Sequence, residues 1–207
     1  MITRTEEEYK EMIQKDIEKA GTKIKFKDES KFLNLCNLFI KIFNKRFMTD
    51  YVNVIGTTIW FPSKKKYEEL NKKWLYCFMK HELHHVMSTK KKTVLGMILS
   101  YGFPQSLFLL LLPATIICGV VLGFCSIPVY VLSGLAVLSL IPWPAPFRVK
   151  EEVSAEVDAE LARIEEGVSS DKENLFKNVC SLEYYNPMYK KKWAREKFEK
   201  LLEQKID

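Results

Sequence analysis

His81-Glu82-Leu83-His84-His85 is the stretch that decides how the rest of the chain is read. Residues four apart on a helix lie almost one above the other. His81 and His85 can therefore offer two imidazole nitrogens to one zinc ion, with Glu82 alongside as a candidate general base. Zinc lowers the pKa of water to about 7 only where one coordination position stays open, which calls for three protein ligands. The third must come from elsewhere in the chain. All three histidines of the protein fall in this pentapeptide, which strengthens the reading. His84, three residues from His81, is an alternative partner, although the i, i+4 pair has the better geometry.

Upstream, residues 5–19 carry Glu, Lys and Ile at helical spacing and predict an exposed first helix closed by Gly21. Ile24 and Phe26 alternate with lysines as in a short strand. From Ser30, an N-cap, Phe32, Leu33, Leu35, Phe39, Ile40, Ile42, Phe43 and Phe47 form a broad apolar stripe that predicts a core helix to about Arg46. Residues 51–62 are dense in β-branched and aromatic types, with Gly56 in the middle, and read as a small hairpin or bent strand. The free edge of such a strand suits pairing with an extended peptide, and a plain structural strand fits equally well. After Pro62, Ser63 caps helix through Tyr67, Trp74, Phe78, His81 and His85, as one helix or as two joined near Asn71. Trp74, Phe78 and Met79 are assigned to its buried surface.

All 32 Lys and Arg and all 26 Asp and Glu lie outside residues 93–147. A hydrocarbon core about 30 Å thick needs about 20 apolar residues per helix, so this run holds two spans. Residues 105–124 and 127–141 are expected to form a transmembrane hairpin, approached by an interfacial helix over 93–104. It ends at Pro142, Pro144 and Pro146, with Trp143 at the membrane interface. Lys90, Lys91 and Lys92 before the run and Arg148 and Lys150 after it place both ends, and the catalytic part, on the cytoplasmic side. A helical hairpin buried against protein is the alternative.

Five scattered cysteines without a Cys-x-x-Cys pair argue for a reducing compartment. The charged N-terminus predicts no signal peptide. The net charge of +6 comes with lysines interleaved among glutamates, so nucleic acid is not an expected partner. The expected architecture is mainly α with a small β element, carrying the apolar hairpin. Residues 1–92 and 148–207 form the two parts of one catalytic domain and residues 93–147 the insertion. Helices are expected from Arg148 to Gly167, from Ser170 or Asp171 to Val179, and from Tyr189 to Gln204.

Candidates for the third ligand are Glu151, Glu152, Glu156, Asp158 and Glu160. Glu152 is preferred, because Glu156 stands one turn on as a partner for a ligating carboxylate and Ala155 leaves room for close packing. His81-Glu-Leu-His-His85 with Glu152-Val-Ser-Ala-Glu156 resembles the gluzincin zinc metallopeptidases, most of all membrane-integrated members of the heat-shock and prenyl-processing kinds. In those, apolar spans separate the motif from Glu-x-x-Ala-Asp, whose last residue is Glu156 here. Leu140-Ile-Pro-Trp-Pro-Ala-Pro-Phe-Arg148 followed by Glu152 is also similar to small predicted metallopeptidases of bacteriophages.

The resemblance covers residues 51–159. It implies a zincin-like α+β minidomain, Zn2+ held by His81, His85 and Glu152, and peptide hydrolysis at a membrane surface with Glu82 as base. A polypeptide is the expected substrate and membrane lipid a further partner. Tyr184, Tyr185 and Tyr189 are conceivable donors to an oxyanion, though each suits packing better. The rival expectation is a non-catalytic, membrane-associated binding protein with a structural or degenerate zinc site.

Overall fold

The computed structural model describes residues 4–43, 45–103, 105–139, 146–169, 171–180 and 191–206. The chain divides into two compact units. The first comprises Met1–Val94, Ser154–Asp171 and Leu201–Asp207, and the second Leu95–Val153 and Lys172–Lys200.

In the first unit, α1 (Glu6–Lys19) starts at a reciprocal cap in which the Thr5 hydroxyl accepts from the Glu8 amide and the Glu8 carboxylate accepts from the Thr5 amide. Tyr9, Ile13 and Ile17 repeat every fourth residue and are buried. Strand β1 (Lys23–Phe26) is followed by α2 (Lys31–Phe43), where Ser30 Oγ accepts from the Leu33 amide. The expectation that α2 is core fails on its described side chains. Leu33 is buried, but Phe32, Leu35 and Leu38 are exposed, and nothing is described of the side chains of Phe39, Ile40, Ile42 and Phe43.

Strands β2 (Asn53–Ile55) and β3 (Thr58–Phe61) form a hairpin across Gly56-Thr57. Gly56 has φ +63°, the conformation that the first position of a two-residue turn demands. β3 is central, parallel to β1 and antiparallel to β2, so β2 keeps one edge free of strands among the described residues. Ile59 and Phe61 point from β3 into a core with Tyr9, Ile13, Leu75, Cys77, Met79 and Val86.

Two helices, α3 (Lys64–Glu69) and α4 (Lys72–Lys92), follow the hairpin, and Asn71 caps the second by accepting from the Trp74 amide at 3.0 Å. Met79 is buried as expected, whereas Trp74 is 42% exposed and stacks on Phe78 with ring centroids 5.1 Å apart.

In the second unit the apolar run forms α5 (Val94–Gly102), whose first residue lies in the first unit, then a 3-10 turn (Gln105–Leu107), α6 (Phe108–Leu122) and α7 (Ile127–Ser139). The expected transmembrane hairpin is corrected here: among the described residues no helix is long and apolar enough to cross a membrane. The physical reason is interruption. The 3-10 turn takes the first residues of the expected first span, Gly123 at φ +85° ends α6, and α7 is described over Ile127–Ser139. Helices of 15 and 13 residues reach about 22 and 20 Å, short of a hydrocarbon core of about 30 Å. The inferred membrane location, with its cytoplasmic catalytic side, loses its basis with the spans. Trp143 lies outside the described residues.

Helix α8 (Pro146–Glu166) begins two residues earlier than expected, since proline is accepted in a first helical turn. It runs unbroken past Val153, after which its residues belong to the first unit. The chain closes with α9 (Lys172–Val179) and α10 (Lys191–Ile206). Phe176 and Phe198 meet edge to face in the second unit, with centroids 5.5 Å apart.

Candidate metal centre

The pentapeptide lies in the middle of α4, where the helical repeat sends its polar side chains in different directions. The His81 and His85 rings sit with centroids 4.9 Å apart, and their Nε2 atoms are 3.2 Å from each other. Two nitrogens bound to one tetrahedral zinc at about 2.0–2.1 Å would be about 3.3 Å apart, so the observed spacing suits a shared ion. Glu152, buried on α8, completes the group. One ligand atom from each of His81, His85 and Glu152 lies within 4.8 Å of the others, and this group could hold a metal ion. Two imidazoles and a carboxylate are a donor set that zinc accepts.

The His81 ring is held from two further sides. Phe78 lies parallel to it, with centroids 6.4 Å apart, and Glu156 Oε2 meets its Nδ1 at 3.1 Å. An ionised carboxylate only accepts, so Nδ1 carries the proton and Nε2 turns its lone pair toward His85. Glu156 was expected to steady Glu152. It instead reaches across to His81, while its other oxygen accepts from Arg163. Burial raises the pKa of Glu156, but the hydrogen bond and charge of His81, with Arg163, hold it below the usual carboxylate range.

His84 faces elsewhere. Its Nδ1 meets Asp158 Oδ2 at 2.7 Å, and Lys205 pairs with the other oxygen of Asp158. His84, Asp158, Tyr76, Lys80, Leu83 and Lys205 are among the residues lining a cavity of about 640 Å³ that neither His81 nor His85 lines. The choice between His84 and His85 is thus decided by direction. Of the other carboxylates weighed as ligands, Asp158 is engaged with His84, Glu160 is bonded to Arg163, and Glu151 is outside the metal group.

Glu82 is buried on α4. A cation that the sequence reading missed, whose charge interacts with that of Glu82, is Lys27, just past β1 and fully buried. Its ammonium donates to Phe47 O and Tyr51 O at 2.6 Å each and to Asn53 Oδ1 at 2.5 Å. Burial lowers the Lys27 pKa to about 8, with the Glu82 charge acting in the opposite sense. No local pattern marks this lysine, because its partners come from a segment twenty or more residues away. Arg163 was missed too, although its spacing of three from Glu160 and seven from Glu156 is a readable helical pattern. Tyr184, Tyr185 and Tyr189 lie outside the described residues.

Comparison with protein-family models, with curated proteins and with solved structures finds no match to this chain. The comparisons connect it neither with gluzincins nor with proteases or bacteriophage proteins, and the resemblance rests on the motif residues alone.

Proposed function

We propose that this chain is a zinc-dependent metallopeptidase with Zn2+ held by His81, His85 and Glu152. The observation that carries the reading is the pair of Nε2 atoms 3.2 Å apart, with a buried Glu152 carboxylate oxygen within 4.8 Å. Among the described residues the group has three donors, the number found in catalytic zinc sites, whereas structural sites close with four; this favours hydrolysis over a purely structural ion. Zinc bound there supplies Lewis acidity, bringing the pKa of water down to about 7 and polarising a carbonyl.

The chain supplies the rest. Glu82, adjacent to His81 and withdrawn from solvent, takes a proton from the attacking water on a carboxylate oxygen and returns it to the leaving amine. Glu156 keeps the His81 ring in one orientation throughout. The edge of β2 that carries no strand among the described residues suits backbone pairing with an extended polypeptide.

The test is metal content and hydrolysis of casein or a peptide by the purified protein. About one zinc per chain is expected, lost in His81→Ala and far weaker in Glu152→Ala than in Glu160→Ala. Glu82→Gln is expected to keep zinc and lose about 100-fold or more in rate, since an amide accepts no proton. Full zinc occupancy after His81→Ala and His85→Ala together would remove the assignment. A Glu82→Gln protein as fast as wild type would remove Glu82 as base, and zinc without any hydrolysis would favour the binding-protein alternative.

A further inference from the structure

We propose that Arg163 is a positioning residue for the metal centre, acting through Glu156 on the orientation of His81; this rests on the metal reading above. Arg163 follows Glu156 by two turns of α8 and Glu160 by one, so the three side chains share a face. Its Nη1 donates to Glu156 Oε1 and, at 3.2 Å, to Glu160 Oε2. Glu156 Oε2 is the atom that meets His81 Nδ1 at 3.1 Å. Each oxygen of Glu156 therefore has an assigned partner, one a guanidinium and the other an imidazole.

This happens away from water: the side chains of Arg163, Glu156 and Glu160 are 14%, 7% and 6% exposed. A carboxylate so enclosed is costly without a cation, and with only one oxygen anchored it could turn about its terminal torsion. The charge-assisted contact from Arg163 Nη1 to Oε1 opposes that turn. With Oε1 anchored, Oε2 has one place to be, Nδ1 of His81 must point there, and Nε2 must point toward His85. One guanidinium also engages both Glu156 and Glu160, two further buried glutamates of α8 beside Glu152.

The test combines zinc affinity, by competition with a chromophoric chelator, with imidazole N–H signals of the metal-free protein labelled with 15N-histidine. Three histidines make the spectrum easy to resolve. Arg163→Met and Glu156→Gln are each expected to weaken zinc about 10–100-fold, the range typical of lost support to a ligand. The double variant should bind within about threefold of Glu156→Gln alone, since both act through one contact. Glu160→Gln should remain near wild type.

An exchange-protected Nδ1–H signal of His81 is expected in wild type and lost in Arg163→Met. The His84 signal, held by Asp158, should survive and reports that the variant is folded. If Arg163→Met does not fold, Arg163→Lys carries the test, with intermediate zinc affinity expected. Wild-type affinity and an unchanged His81 signal in whichever variant folds overturn the proposal, as do losses that multiply in the double variant. A wild-type protein that binds no zinc overturns the metal reading and this inference together, whereas zinc bound alike by wild type and Arg163→Met overturns only the inference.

Discussion

The α8 helix and the α6–α7 hairpin invert the usual partition of residues between interior and surface. Glu152, Glu156, Glu160 and Glu166 are at most 5% exposed, while Val120, Val121 and Ile127 are 72–78% exposed. The glutamates go in because partners are waiting: Arg163 and His81 for Glu156, Arg163 for Glu160, and Tyr9 and Arg4 for Glu166. The hairpin helices are apolar all round, yet of their described residues only Gly119 on α6 and Val129, Ala136 and Ser139 on α7 are buried. Hydrophobicity makes burial favourable, and packing decides which residues receive it.

The sharpest way to break this comparison is Glu166→Ala. It leaves the Tyr9 hydroxyl, which donates to Glu166 at 2.6 Å, and the Arg4 guanidinium without their acceptor. A loss of about 3 kcal/mol is expected in urea unfolding, as for a buried pair deprived of one partner. A change under about 0.5 kcal/mol would mean that the buried carboxylate is not supported by these contacts.

Acid sharpens the same point. Burial raises the pKa of Asp158, but hydrogen bonds and charges from His84 and Lys205 outweigh it, and its pKa, like that of Glu156, ends below the ordinary value. Between the folded and the ordinary value the unfolded chain binds more protons. The stabilisation is therefore complete above the ordinary values of 4.5 for Glu156 and 3.8 for Asp158, and is lost as pH falls through the depressed folded ones. Unfolding of chelator-treated protein should become easier below about pH 4.5, and Asp158→Asn should flatten that slope. An unaltered slope in Asp158→Asn would assign the acid sensitivity to other groups.

The smallest effect belongs to the hairpin. Val120→Ser and Val121→Ser remove exposed methyl groups and are expected to change stability by no more than about 0.5 kcal/mol. A loss near 2 kcal/mol would show that these side chains are covered in solution.

What the sequence determined by itself is local. The i, i+4 spacing of His81 and His85 sets their rings on one face of a helix. Thr5, Ser30, Ser63 and Asn71 cap helices where their side chains can reach the following amides, and Gly56 permits the hairpin turn. These depend on neighbours within a turn or two, so residue type and spacing suffice. Tertiary structure decided the rest. It turned His84 toward Asp158 and away from His85's partner, drew Glu156 to His81 rather than to Glu152, and closed a segment around Lys27. Among the described residues it also left the uncharged run without a helix long and apolar enough to cross a membrane, where composition alone suggested two crossings. Each of these outcomes depends on which surfaces meet across tens of residues or on where a helix stops, and neither is written in the spacing of residues along the chain.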